Sequence, residues 1–199
     1  MGIVKNKNSE KIRRLVTLAI LTALIIVLQI ISNYIKFGPV QITLALAPMI
    51  IGTALYGAWA GAFLGAMLGV VILISGLIGI DGGFMMILLN ANPFFAVAVC
   101  ILKTTVAGFS AGLIYNLIEK KNSLVATFAS GIICPVVNTG LFILAMATVF
   151  IETLRSFAGD TDILTFVMTA FVGVNFLIEL AVNLILGVAI ARIIRAVKK

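Results

Sequence analysis

From Gly57 to Gly69 the chain reads GAWAGAFLGAMLG, with glycine at every fourth position: Gly57, Gly61, Gly65 and Gly69. Ala54, Ala58, Ala62 and Ala66 form a second stripe beside the first. Residues four apart share one helical face. The repeat lies within 44 residues, 37–80, that contain no charged side chain. As one helix they would extend ~66 Å at 1.5 Å per residue, about twice the ~30 Å hydrocarbon thickness of a bilayer. The stretch is too long and too apolar for a soluble core. It is expected to cross a membrane, fold back once near Tyr56-Gly57-Ala58-Trp59, and press its small-residue stripes against neighbouring helices.

The composition agrees. The 199-residue chain is 62% hydrophobic and 11% charged, well outside the range of soluble domains. Its two cysteines, Cys100 and Cys134, lie inside apolar runs, so no disulfide framework is indicated. Histidine is absent, which removes the commonest metal ligand and general base. A net charge of +7 does not indicate nucleic acid here, because the basic residues flank apolar spans instead of alternating with aromatics on a polar face.

The apolar runs predict six transmembrane helices, at residues 15–34, 42–55, 58–75, 93–117, 124–151 and 163–194. Lys5, Lys7, Lys11, Arg13 and Arg14 precede the first span, Lys120 and Lys121 fill the fourth connection, and Arg192, Arg195, Lys198 and Lys199 close the chain. Six spans put these three clusters on one side. Lys36 and Arg155 fall on the other, and Lys103 lies within a span. The positive-inside rule then places both termini in the cytoplasm. The first span is read as a retained helix, since its apolar run outlasts a signal peptide and no small-residue cleavage site follows. The expectation is an all-α integral membrane protein of the cell membrane, a compact six-helix bundle forming a single membrane domain over residues 1–199.

Polar residues inside the spans mark the places to examine. The third connection, 76–92, is glycine-rich yet apolar, and reads either as a cap folded over the protein or as a greasy connector. Asn92-Pro93 reads as a helix N-cap with proline at the first position. Lys103 lies ten residues into the fourth span, ~15 Å deep at helical rise. A charge at that depth costs at least ~2.5–3.5 kcal/mol and is expected to face the interior or a wet cavity. Glu179 is deeper in the sixth span, sharing a face with Asn175 and Asn183. Lys103, Glu179 and Asn175 read either as a structural set bridging helices or as a solute pocket open to the outside, and opposite charges favour the pocket. Asn138, three residues after Pro135, reads equally as a cavity amide or as a packing hydrogen bond beside a proline kink. Tyr34, Tyr56, Trp59 and Tyr115 read as interfacial anchors.

Engines and reactive pairs are missing. No G-x-x-x-x-G-K-[ST] loop is present. Asp81, Asp160 and Asp162 all fall in outer connections, so a two-aspartate intramembrane protease is not supported. With a single Asn-Pro element, neither is a water channel with paired half-helices. The expectation is a solute binder, not an enzyme, with no cofactor or metal.

The six short spans, the basic N-terminus, the long third connection and several moderate motifs together resemble the substrate-binding S components of energy-coupling factor (ECF) vitamin transporters. The pieces are Gly-Pro-Val-Gln-Ile-Thr from Gly38, the glycine run from Gly57, Asn92-Pro93, Val137-Asn138-Thr139, and Val174-Asn175 with Glu179. The resemblance covers nearly the whole chain. It implies a subunit that captures a vitamin-like solute from outside, associates with a transmembrane T subunit and two cytoplasmic ATPases, and topples in the bilayer to deliver its ligand. It also implies that Ala19 and Ala23, an Ala-x-x-x-Ala pair on the first helix, dock on the T subunit. Ligand contacts in such proteins come from the outer halves of the later helices and from the first, third and fifth connections. Here those regions hold Lys103, Asn138 and Asn175, with Asn90 and Asp81 in the third connection. Glu179 sits at the limit, as a ligand contact or as a structural or coupling residue. One cation, one anion, several amides and few aromatics favour a small carboxylate-bearing solute over a flavin or pterin, without naming a vitamin. The competing reading is an accessory membrane protein that binds partner helices and transports nothing.

Overall fold

The computed structural model describes residues 7–37, 40–41 and 43–198; Gly38, Pro39 and Ile42 of the first connection lie outside them. A long first helix, α1 (Lys7–Tyr34), leads into a minimal antiparallel hairpin, β1 (Lys36–Phe37) and β2 (Val40–Gln41), with Lys36 opposite Gln41. Then come α2 (Leu46–Tyr56), α3 (Ala58–Leu77), the short α4 (Phe84–Ala91), α5 (Pro93–Ile118) and α6 (Ser123–Thr148). Two further short helices follow, α7 (Ile151–Ala158) and α8 (Ile163–Phe166). A π-helical run, Val167–Phe176, then continues into α9 (Leu177–Lys198).

Among the described residues, five helical stretches are long and apolar enough to cross a bilayer: Asn8–Tyr34, Ala58–Leu77, Pro93–Ile118, Ser123–Thr148 and Ile163–Ile185. The sixth expected span is the shorter apolar helix α2. At 11 residues it rises only ~16 Å. Its length is tolerable because protein surrounds it: Leu46, Ala47, Met49, Ile50 and Ala54 are all buried. The outer surface carries the opposite signature. Leu15, Val16, Ile20, Val27 and Ile30 on α1, and Leu102, Leu117 and Leu144 on later helices, expose apolar side chains in numbers that only a lipid environment makes comfortable.

The fold-back falls at Gly57, whose φ of 84° favours glycine and which joins α2 directly to α3. The glycine stripe beyond it faces α5. A methyl group at Gly61 would strike the Gly108 carbonyl, and one at Gly65 would strike the Thr104 carbonyl. At Gly69 it would come 2.6 Å from the Cys100 carbonyl oxygen. The relation is reciprocal, since Gly108 lies on Gly61 and Gly112 on Ala58. The two helices therefore meet backbone to backbone, the arrangement that small residues permit.

Two apolar cores result. One gathers Leu21, Ile25, Met49, Ile50, Leu64, Leu68 and Tyr115 around α2. The other, at the end of the bundle carrying α4 and α7, gathers Met85, Leu88, Cys100, Phe142, Met146, Phe150 and Phe171.

Several boundaries differ from the sequence reading. The second span begins at Leu46, not at residue 42, because the preceding backbone is irregular and held by side chains. The fifth stops at Thr148, and the long third and fifth connections are not plain loops: each contains a helix, α4 and α7, seated on the second core through Met85, Leu88 and Leu154. Asn92 caps α5 as expected, accepting the Phe95 amide at 3.3 Å, with Pro93 at the first position. α6 runs unbroken through Pro135. Tyr115 is no interfacial anchor: it is fully buried, its hydroxyl 3.3 Å from Ser123 Oγ. Trp59 and Tyr34 are largely exposed, as anchors would be.

Gly65→Val is expected to force α3 from α5 and destabilise the protein by ~1–3 kcal/mol or more. Gly140→Ala, where an added methyl meets nothing within 4 Å, is expected to leave the melting temperature in detergent unchanged. Equal melting of the two variants would contradict the backbone contact.

Candidate functional site

The zipper between α3 and α5 determines which way α5 presents its polar residues. Cys100, Thr104, Ala107, Gly108 and Ala111 are buried, several of them against α3. Thr104 spends its hydroxyl on the Cys100 and Ile101 carbonyls, both at 3.1 Å. Lys103, adjacent on the helix, is turned to the flank where α4 and α6 approach. There it lines a cavity of about 70 Å³ together with Gln29, Thr43, Ile72, Asp81, Phe84, Met85, Leu88, Val99, Cys100 and Phe142. All of these residues lie in the half of the bundle toward the first, third and fifth connections.

The cavity is apolar on most sides, with polar groups at a few points, a common form for small-molecule sites. Lys103 Nζ stands 4.6 Å from the centroid of the Phe142 ring, close enough for a cation–π attraction. Phe142 is itself braced by Phe84 at 6.0 Å and Phe171 at 5.4 Å, and Phe84 stacks on Phe157 of α7 at 5.5 Å. Among the described residues the one ion pair within 4 Å is Arg155–Glu152. Lys103 and Glu179 therefore do not form the salt bridge weighed as their structural role.

Asp81 lines the cavity, but its carboxylate is already committed. Oδ1 accepts the Gly83 amide at 2.8 Å and Oδ2 the Met85 amide at 2.7 Å, tying down the loop that enters α4. Glu179 is buried at 4% exposure and lies beside the cavity, not among its lining. Its Oε1 accepts the amide of Thr43, a lining residue, at 2.8 Å, and its Oε2 has no partner. Ser32 makes the companion bond, its Oγ accepting the Leu44 amide at 3.1 Å. These two side chains supply the partners that an irregular backbone at this depth needs.

Asn138 is buried on α6 with Oδ1 unpartnered, and Asn183 is buried with Nδ2 unpartnered. Neither lines the cavity. Glu179 and Asn183 share the buried face that their spacing predicts; the Asn175 side chain lies outside the described residues. Asn90 is exposed on α4 and is not a lining residue. Ala19 and Ala23 are exposed on the outer face of α1.

The sequence reading missed Gln29, Thr43, Cys100 and the two aromatic walls. It expected few aromatics, whereas Phe84 and Phe142 both face the space. Gln29 was findable: with Ser32 and Asn33 it forms an i, i+3, i+4 polar face in an otherwise apolar helix, and all three are buried at 2%, 0% and 1% exposure. Gln29 Nε2 donates to Asn33 Oδ1 at 3.2 Å, leaving Gln29 Oε1 without a partner.

Residues 13–191 match the family described as "ECF transporter, substrate-specific component". The chain belongs to that family of substrate-binding subunits, and with its apolar helices it is a multi-pass membrane protein. A comparison with curated proteins returned no match.

Asp81→Ala removes two amide partners and is expected to cost ~1–3 kcal/mol, read as a lower melting temperature without added solute. Lys103→Ala, which breaks no hydrogen bond or ion pair within the protein, is expected to melt close to the parent. A normal melt for Asp81→Ala would make its two backbone bonds dispensable.

Proposed function

We propose that the chain is the capture subunit of an ECF-type importer, holding a vitamin-like small solute in the cavity beneath α4 and the first connection. The observation that carries this reading is the convergence of Lys103, Gln29 and the Glu179-bound Thr43 on one apolar-walled space. An ammonium within a membrane span and without a carboxylate within 4 Å is costly, and an anionic solute would offset that cost. The small volume and the single cation favour a slender monocarboxylate over a fused ring system, and Phe84 and Phe142 would pack against its apolar part.

The distribution of charge supports an orientation with both termini in the cytoplasm of the cell membrane. The cavity end of the bundle then faces outward, where the solute is met. On this reading the whole chain acts as a single membrane domain. Uptake proceeds through partners: a transmembrane T subunit docks on the Ala19–Ala23 face, and two cytoplasmic ATPases supply the energy. Two small side chains four apart leave a flat strip on which a partner helix can lie. The accessory-protein alternative drew its support from the glycine stripe, but Gly61, Gly65 and Gly69 are consumed within the molecule by α5 and offer no free face to a partner.

Lys103→Ala is expected to abolish solute binding in a folded protein, and Ala19→Trp to block complex assembly while leaving binding intact. Mass spectrometry of small molecules co-purifying with the solubilised parent and with each variant reads the first effect, and co-purification of the T subunit reads the second. An unchanged small-molecule profile for Lys103→Ala would move the binding site elsewhere.

A further inference from the structure

The cavity holds two polar features of opposite character that nothing within the protein satisfies. On α5, Lys103 Nζ lies over the Phe142 ring, and no carboxylate among the described residues comes within 4 Å of it. On α1, Gln29 is 2% exposed, lines the same cavity, and leaves its Oε1 acceptor without a partner because its amide nitrogen is already given to Asn33. Beside Gln29, the Thr43 amide is spent on Glu179, whose second oxygen is a further unpartnered acceptor. An unmet buried acceptor is unfavourable by itself. The Gln29 acceptor on α1, with the cation on α5, describes the complement of a ligand.

We infer that the site is two-headed: Lys103 takes an anionic group, and Gln29 Oε1 takes a hydrogen-bond donor carried elsewhere on the same solute, with an apolar body between them against Ile72, Leu88 and Phe142. This rests on the capture reading and narrows it to a class, monoanionic solutes that also bear a hydroxyl or N–H donor. A dianion is disfavoured, because one ammonium stands opposite the negative charge of Asp81 on the same lining. A plain fatty carboxylate is disfavoured because it leaves the Gln29 acceptor buried and unpaired, and a site built to hydrogen-bond a donor rejects analogues lacking it.

The test uses the full chain in lipid nanodiscs and three matched probe series: ω-hydroxyalkanoates from 4-hydroxybutanoate to 8-hydroxyoctanoate, the corresponding unsubstituted alkanoates, and the methyl esters of the hydroxy acids. Binding is read by calorimetry and by thermal shift. The best hydroxyalkanoate is expected to bind at least about tenfold more tightly than either its alkanoate or its ester. Lys103→Met is expected to erase the preference for acid over ester alone. Gln29→Met is expected to erase the preference for hydroxyl over hydrogen alone. The wild-type comparison stands even where Gln29→Met fails to fold. Equal binding of alkanoate and hydroxyalkanoate overturns the second head while leaving solute capture in place. Equal binding of acid and ester overturns the first. If no member of any series binds, the two-headed class is overturned, and the co-purification experiment decides the capture reading separately.

Discussion

The contact between the backbones of α3 and α5 is the constraint on which the remaining structure depends. Within a bilayer, apolar side chains gain little by leaving lipid for protein, so helix association relies on close packing. Gly61, Gly65 and Gly69 against the carbonyls of Gly108, Thr104 and Cys100 provide that closeness and leave no rotational freedom. A turn of α5 by one residue would carry a side chain into the glycine groove. With Cys100 and Thr104 committed to α3, Lys103 must occupy the neighbouring flank, and the cavity exists because α4 and α6 cover that flank without filling it.

A second constraint concerns the first connection. Irregular backbone near membrane depth needs partners that neither helix nor lipid supplies. Ser32 from α1 and Glu179 from α9 meet that need at Leu44 and Thr43. The result joins the first and last spans through a short stretch of chain that also lines the cavity. Glu179 is thus structural through one oxygen, while its other oxygen has no partner and the residue stands outside the cavity lining.

The five long apolar helices, the turn at Gly57, the Asn92 cap and the placement of Lys103 within α5 were legible because each rests on a local signal: apolar length, a four-residue repeat, a capping dipeptide, a lone charge. The helices α4 and α7 were not, because short helices in apolar or mixed connections are stabilised by the core beneath them and leave no length signature. The π-helical run Val167–Phe176 hides in the same way, since its pitch changes no composition. Tyr115 was misplaced because nearness to a helix end in sequence does not say which face a ring occupies. The aromatic walls were invisible for a related reason. Phe84 and Phe142 lie 58 positions apart in sequence and meet only through tertiary packing.

The unpartnered atoms carry one further consequence. Gln29, Asn33, Asn138, Glu179 and Asn183 each leave a buried polar atom unmet, on three helices that otherwise pack through apolar contacts. In a soluble protein bulk water would reach many such groups; in a lipid-bounded bundle a trapped water or a ligand serves instead. Each unmet group is unfavourable by ~1–3 kcal/mol, and of these residues Gln29 is the one that lines the cavity.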